Sequence, residues 1–249
     1  MTSQFPIEFK RNAVEPVACL KAGWNLIRDQ YWLFVGMALV GILIGSVVPF
    51  AILLGPMMCG IYLSLFQRQR GDTVEFGTLF KGFDYFGESV VATLFHYIPI
   101  IIVVVPFYLV FYIGMFLMMS DQGHGGQVEP ANAIGFFALF GVFALIIAAF
   151  VTCISVLFTF TYPLIVDRKL SGMDAVKLSV KAGLANFWRL LGLLLLNGVV
   201  GVAGALLCYV GLFLVLPVTI AALAIAYEQV FGLGQVQSPR LPPPPPSFA

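Results

Sequence analysis

The stretch that decides the class of this protein lies at residues 89–119, which read SVVATLFHYIPIIIVVVPFYLVFYIGMFLMM. It contains no Asp, Glu, Lys or Arg, and His96 is its one side chain that titrates near neutral pH. As an α-helix these residues are about 46 Å long, whereas the hydrocarbon core of a bilayer is about 30 Å thick. A charge-free run of this length predicts a transmembrane helix.

Similar apolar runs fill most of the chain. Of its 249 residues, 60% are hydrophobic and 10% are charged, and the mean hydropathy is +0.99. An ordinary soluble domain has about 25% charged residues. The predicted fold is therefore an all-α integral membrane bundle of six transmembrane helices with cytoplasmic amphipathic helices. The predicted spans are residues 31–50, 51–67, 89–119, 133–166, 187–208 and 209–227.

Positive charge predicts the orientation of these spans. With six spans, all 13 Lys and Arg residues fall on one side, and the opposite connections hold Asp121, His124 and Glu129. Short loops rich in Lys and Arg stay in the cytoplasm, so both termini are predicted to be cytoplasmic. The polar first thirty residues lack the early apolar region of a cleavable signal peptide. We therefore expect a multi-pass protein whose first span is an uncleaved insertion signal.

The chain also shows an internal duplication. Lys21-Ala22-Gly23 recurs as Lys181-Ala182-Gly183, and residues 31–36 resemble residues 187–192. Each copy is a short amphipathic helix followed by a helical hairpin, and a third, diverged copy is predicted between them. Because every copy begins in the cytoplasm, the repeats are parallel.

The predicted segments are the N-terminal region 1–30, the hairpin 31–67, an interfacial helix 68–88, the long hairpin 89–166 with an outer loop at 120–132, an amphipathic helix 167–186, the hairpin 187–227 and a Pro-rich tail 228–249.

The three short segments are predicted to lie in the headgroup plane, with their apolar stripes toward lipid. The residues Ser171-Gly-Met-Asp174 have the form of a capping box at the start of one of them. Lys81 lies on the polar side of another. The predicted stripes are Val17, Leu20, Trp24 and Ile27; Phe76, Leu79, Phe80 and Phe83; and Met173, Val176, Val180 and Leu184.

Two polar residues fall inside predicted spans. An ionisable side chain within a membrane is a candidate functional residue, because placing it in lipid costs free energy unless it is paired. For His96 the alternative is a neutral imidazole bonded to Tyr97, Asn197 or a backbone carbonyl. Asn197 is expected to hydrogen-bond across helices, and the alternative is a contact with a substrate. Gly41 and Gly45 have the spacing that lets helices approach closely.

No motif predicts catalysis or a cofactor. The sequence has no GxSxG, HExxH, phosphate-cradling glycine loop or paired CxxC. The four cysteines show no paired spacing and are expected to be free thiols. We therefore expect no enzymatic activity, no cofactor and no metal.

Three groups of residues carry a family resemblance. They are Gly55-Pro56-Met-Met-Cys-Gly60, Gln69-Arg70-Gly71-Asp72 with Leu79-Phe80-Lys81-Gly82-Phe83, and Tyr162-Pro-Leu-Ile-Val-Asp-Arg168. This pattern resembles the YciC-like family of uncharacterised bacterial inner-membrane proteins. It is also similar to the membrane domain fused to some glycerophosphodiester phosphodiesterases. The resemblance implies a polytopic helical protein of the bacterial cytoplasmic (inner) membrane, and no catalytic residue is carried over from it.

The expected function is that of a non-enzymatic membrane scaffold or assembly factor that acts through its cytoplasmic face. The alternative is a facilitator or transporter of a lipid or an uncharged small solute. The expected partners are membrane lipids, anionic at the cytoplasmic face, and a membrane or cytoplasmic protein, with no nucleic acid. The candidate functional residues are His96, Asn197, Phe76, Phe80, Lys81 and Phe83.

Overall fold

The computed structural model describes residues 8–47, 52–123, 130–206 and 210–233. These residues form α-helices joined by short connections and two 3-10 helices, so the all-α prediction is confirmed. The 3-10 helix Phe76–Tyr85 is called the aromatic segment below. The α-helices are α1 Pro16–Ile27, α2 Tyr31–Val47, α3 Leu54–Gln69, α4 Phe86–Gly123, α5 Pro130–Phe158, α6 Thr161–Arg168, α7 Gly172–Ala185, α8 Phe187–Ala205 and α9 Val210–Phe231.

Five stretches of the described residues are long and apolar enough to cross a membrane, but α3 is not among them. Its 16 residues give a length of about 24 Å, which is shorter than the hydrocarbon core. The count of six spans therefore stays a prediction. The five stretches are Pro16–Ser46, Phe76–Ser120, Ala133–Arg168, Phe187–Ala205 and Val210–Phe231.

Helices α2 and α3 nevertheless form a hairpin. The Arg68 side chain, at the end of α3, donates to the Asp29 carboxylate at 2.7 Å, just before α2 begins. Further along, a Cβ atom on Gly41 would lie 3.6 Å from Met57, and one on Gly45 would lie 3.2 Å from the Cα of Leu54. The close helix approach is therefore seen at Gly45, whereas Gly41 makes ordinary van der Waals contact, and both contacts lie within one chain.

Each short segment packs along the second helix of a hairpin. Helix α1 contacts α9, the aromatic segment contacts α3, and α7 contacts α5 and α6 and, to the same extent, α4. A glycine makes each approach possible. A Cβ on Gly23 would lie 2.7 Å from the Ala222 nitrogen, one on Gly82 would overlap the Pro56 carbonyl, and one on Gly183 would lie 2.9 Å from the Val156 carbonyl. The same kind of contact therefore recurs in all three segments.

The predicted stripes, which the sequence directs toward lipid, are divided in the structure between exposed and buried residues. In α1 the buried residues are Cys19, Gly23 and Ile27, whereas Val17 and Trp24 are 58% and 46% exposed. In α7 the small residues are buried, and Leu184 is 61% exposed. Side chains without bulk let the helices approach closely, and in a membrane-facing protein large apolar groups need not point inward.

The N-terminus of α7 agrees with its predicted cap. The Ser171 hydroxyl accepts a hydrogen bond from the Asp174 backbone N–H at 3.2 Å and donates one to the Asp174 carboxylate at 2.8 Å. The Gly172 N–H donates to the carboxylate of Glu88, which lies in the first turn of α4. The start of α7 is thereby tied to the start of the long hairpin.

The predicted fourth span is divided in the structure. Helix α5 ends at Phe158 and α6 begins at Thr161, with a turn between them, so Pro163 lies in the first turn of α6. The turn is closed by Ser179 of α7, whose hydroxyl donates to the Leu157 carbonyl and accepts from the Phe160 N–H. Pro99 and Pro106, in contrast, lie inside the continuous α4.

The buried core is concentrated where the short segments lie. It includes most of α3, all but the end of α6, and the second half of α9. The most apolar stretches of α4 and α5 have no buried residue and pack on each other through the rings of Phe107, Phe111, Phe136 and Phe140. The long hairpin therefore projects from a compact base.

Several predicted features lie outside the described residues. They are the tight turn near Pro49, His124 and Glu129 in the outer loop, Cys208, and the Pro-rich tail from residue 234 onward. Among the described residues, Cys19, Cys59 and Cys153 are free thiols, as predicted.

Candidate functional site at the charged end of the bundle

The aromatic segment carries a row of exposed rings. The side chains of Phe76, Phe80 and Phe83 are 38–44% exposed, and Phe86 continues the row at 43%. Ring centroids are 6.3 Å apart for Phe76 and Phe80, and 6.5 Å apart for Phe83 and Phe86. Lys81 is also exposed between them. These residues are called the aromatic row, and all five are exposed along one short segment and the start of α4.

The opposite side of the same segment is anchored in the core. Thr78, Leu79 and Gly82 are buried, so Leu79 does not share a face with the exposed rings as the predicted stripe required. In a 3-10 helix three residues complete a turn, so Leu79 and Gly82 superpose on one side while Phe80 and Phe83 superpose on another. Phe76, the first residue of the segment, is exposed although it shares the register of Leu79. The buried set packs against α3, where a Cβ on Gly60 would overlap the Leu79 carbonyl. The aromatic row is therefore held on a rigid support.

A buried charge cluster lies nearby, where α3, α6 and α9 end. The Asp167 side chain is 0% exposed, and its Oδ1 lies 3.2 Å from Nη2 of Arg70. Its Oδ2 lies 3.1 Å from Nε of Arg168 and accepts a hydrogen bond from the Tyr227 hydroxyl at 2.8 Å. These four residues are called the Asp167 cluster. They join the last turns of three helices that are far apart in sequence.

Arg168 also terminates α9. Its Nη2 donates to the carbonyl oxygens of Phe231 and Gly232 at 3.0 and 3.1 Å. A cation at a helix C-terminus satisfies free carbonyls and opposes the helix dipole. Beyond the three helix ends, Gly71, Lys169 and Gly232 all have positive φ, the left-handed conformation that stops a helix.

Sequence reasoning missed the Asp167 cluster. Arg70, Asp167 and Arg168 belong to the motifs of the resemblance, Arg70 and Arg168 also count among the 13 basic residues, and Tyr227 ends a predicted span. Arg70 and Asp167 are separated by 97 positions, so no local spacing could pair them. One available signal was Asp167 itself, an acidic residue that directly follows an apolar run at the end of a predicted span.

His96 lies in α4 and stacks between two rings. Its centroid is 5.1 Å from that of Phe158, with nearly parallel planes at 8°, and 5.0 Å from that of Tyr97. The imidazole thus packs against Tyr97, one of the partners considered for it, through the ring face. It does not meet Asn197, which lies in α8 and reaches toward α9.

Asn197 borders a groove. Its Nδ2 donates to the Thr219 carbonyl of α9 at 3.4 Å, a long hydrogen bond across two helices. Its Oδ1 is buried, with no hydrogen-bond partner among the described residues. A cavity of about 310 Å³ lies between α8 and α9 beside it, and a larger one of about 580 Å³ lies between α5 and α8. Leu194 and Gly198 line both cavities.

The structure brings few of the candidate residues together. Phe76, Phe80, Lys81 and Phe83 share the aromatic row, whereas His96 and Asn197 lie apart from it and from each other. Within the described ranges, no group of three or more His, Cys, Asp or Glu side chains could hold a metal ion. Among the described residues, the predicted candidates that lie together are therefore those of the aromatic row.

Comparison with known proteins adds no relative: no family model, no curated protein and no solved structure matches this chain.

Proposed function

We propose that this membrane protein is a non-enzymatic scaffold or assembly factor that holds a partner protein at the aromatic row. The proposal rests on one observation: the aromatic segment exposes a set of phenylalanine rings while its other residues are buried against α3. Aromatic rings provide large contact area at low entropic cost, and they are enriched where partners dock. Because Leu79 and Gly82 anchor the segment on α3, the rings are presented in a preorganised position.

Lipid headgroups are the second partner in this proposal. Trp32 and Trp188 are 73% and 79% exposed, and Lys21, Lys81 and Lys181 are exposed as well. Tryptophan rings favour the membrane interface, and Lys side chains favour anionic lipid. This surface supports a position at the cytoplasmic interface of the bilayer.

The test is co-purification with point variants. Deleting the whole segment would remove Leu79 and Gly82 from the core and would destabilise the fold. The double variant Phe80→Ser/Phe83→Ser changes only exposed side chains, so it separates partner binding from folding. Purified in native lipid discs, the wild-type protein should retain a stoichiometric protein partner, and this variant should lose it with an unchanged thermal midpoint. Met173→Ser, at an equally exposed site on α7, should keep the partner. A wild-type sample without any protein partner contradicts the proposal.

The alternative is a facilitator or transporter of a lipid or an uncharged small solute. The observation that favours it is the pair of grooves on either side of α8. Both are lined mainly by apolar residues, which suits a lipid better than a polar solute. Flux of a labelled lipid across reconstituted vesicles would favour this function over the scaffold.

The orientation and origin of the chain belong to the same proposal. The segregation of Lys and Arg supports a bacterial inner-membrane protein with both termini inside, and the three equivalent glycine contacts support an internal repeat. Membership of the YciC-like family rests on the quoted residues. A Lys169→Cys variant, in a background from which Cys19, Cys59, Cys153 and Cys208 have all been replaced, should react with a membrane-impermeant reagent only from the cytoplasmic side. Labelling from outside contradicts the orientation.

A further inference from the structure

The cavity between α8 and α9 owes its room to two glycines of α8. A Cβ on Gly198 or on Gly201 would meet nothing within 4 Å. The cavity of about 310 Å³ lies at the lower end of the range of about 300–1,000 Å³ that ligand pockets occupy. Apart from Asn197 and Thr219, the residues that line it are glycine, leucine or valine. The cavity therefore offers an apolar wall with two polar side chains in it.

The two polar side chains leave one hydrogen-bond acceptor without a partner. The Thr219 hydroxyl donates to the Leu216 carbonyl of its own helix at 2.8 Å. Nδ2 of Asn197 donates to the Thr219 carbonyl at 3.4 Å, and because a carbonyl can only accept, the amide end that meets it is the nitrogen. Oδ1 of Asn197 is buried and has no hydrogen-bond partner among the described residues. The side chain that lines the cavity therefore still requires a donor.

A ligand can provide this donor. A buried acceptor without a partner costs the free energy of its lost hydration, so any donor that reaches it is stabilised. The terminal torsion of an Asn side chain has broad energy wells, and the bond from Nδ2 to the Thr219 carbonyl is long. The Asn197 amide can therefore turn toward a group bound in the cavity.

The depth of Asn197 limits the class of ligand. It lies ten residues after Phe187, the first residue of α8, which is a distance of about 15 Å along the helix. Trp188, beside that first residue, is 79% exposed, and Trp side chains favour the membrane interface. A charged headgroup stays at that interface, because a charge within the hydrocarbon core is costly. An uncharged lipid with a single hydroxyl can bring its donor to the depth of Asn197.

We propose that the cavity between α8 and α9 binds a long-chain alcohol. Its hydroxyl donates a hydrogen bond to Oδ1 of Asn197, and its chain lies against the leucine and valine side chains. An anionic lipid is disfavoured because none of the described residues that line the cavity is basic. An ether or ester lipid without a hydroxyl has no donor for Oδ1. The inference does not depend on the scaffold function, because it concerns binding alone.

The experiment compares two photoreactive probes on the purified protein in lipid discs. One is a dodecanol that carries a diazirine, and the other is its methyl ether, which has the same chain and no donor. Mass spectrometry of peptides identifies the labelled residues. The alcohol should label residues 194–201 and 212–223 about fivefold more than the ether, the gain expected from one hydrogen bond. Equal labelling by the two probes, the result expected if an ordered water already satisfies Oδ1, overturns the proposal.

Two variants test the acceptor itself. Asn197→Leu keeps a similar volume and removes the oxygen, so labelling by the alcohol should fall to the level of the ether. Thr219→Val is the matched control, because the hydroxyl that it removes already donates to the Leu216 carbonyl. In this control the alcohol should keep its advantage of about fivefold. An unchanged advantage in Asn197→Leu would assign the selectivity to another group and overturn the proposal.

A second pair of variants tests the cavity. Gly201→Leu should lower labelling of residues 194–201 and 212–223 by both probes about tenfold, because the new side chain occupies the cavity. Gly141→Leu, in α5, is the control: a Cβ there also meets nothing within 4 Å, and the residue does not line the cavity. The thermal midpoint of each variant in the same discs shows whether the fold is retained. Equal labelling of the wild-type protein and a folded Gly201→Leu variant would contradict a site between α8 and α9.

Discussion

We expect Asp167→Ala to lower the free energy of unfolding by about 3–5 kcal/mol, the cost of removing one partner from a buried ion pair. The carboxylate is 0% exposed and lies between the guanidinium groups of Arg70 and Arg168, at 3.2 and 3.1 Å. Without it, two cations that are only about 30% exposed face each other, and the Tyr227 hydroxyl loses its acceptor. Unfolding in detergent micelles, followed by tryptophan fluorescence, measures the loss.

The control for this prediction is Asp29→Ala. Asp29 makes an ion pair of 2.7 Å with Arg68, but its side chain is 61% exposed. Exposed ion pairs contribute about 0–1 kcal/mol, so the loss should be several times smaller. Equal losses for the two variants would mean that the burial of Asp167 contributes nothing, and the role of the Asp167 cluster in joining three helix ends would have to be abandoned.

The second large effect is expected for Gly60→Ala, which should destabilise the protein by about 3 kcal/mol or more. The new methyl group would overlap the Leu79 carbonyl, and it would also lie close to the Leu79 Cα. These are backbone atoms of the aromatic segment, so no side chain can rotate away and the segment must move off α3. The aromatic row would move with it, and partner binding should weaken together with stability.

Gly77→Ala is the matched control in the same segment. A Cβ there meets nothing within 4 Å. The substitution should change the free energy of unfolding by between zero and a gain of about 1 kcal/mol, because alanine restricts the unfolded chain. Thermal unfolding of both variants in the same detergent provides the comparison. A Gly60→Ala protein as stable as Gly77→Ala would show that the close contact between α3 and the aromatic segment is not required.

The residues quoted for the family resemblance take part in these contacts. A Cβ atom added to Gly55, Gly60 or Gly82 would lie less than 3 Å from a backbone atom of a neighbouring element. These neighbouring elements are α4, the aromatic segment and α3, respectively. Arg70 and Asp167 meet in the buried cluster. The residues that carry the resemblance therefore include the packing contacts of the base, which is a structural role and identifies no reaction.

The sequence by itself determined the class of the protein, its helical hairpins and several local details. Long charge-free runs such as residues 89–119 can satisfy their backbone in lipid only as helices. Capping is equally local, so the start of α7 after Ser171 could be predicted from four residues. The spacing of Gly41 and Gly45 predicted a close helix approach, which the structure shows at Gly45, because glycine spacing along one helix is a local property.

Tertiary structure alone decided which faces pack and which charges meet. In a soluble protein large apolar residues mark the inside, but lipid accepts them equally well, so Trp24 and Leu184 point outward while Gly23 and Gly183 make the contacts. The aromatic segment is a 3-10 helix, which separates Leu79 from Phe80 and Phe83. The Asp167 cluster requires three helix ends to converge, and such convergence depends on the packing of the whole bundle, which no local pattern encodes.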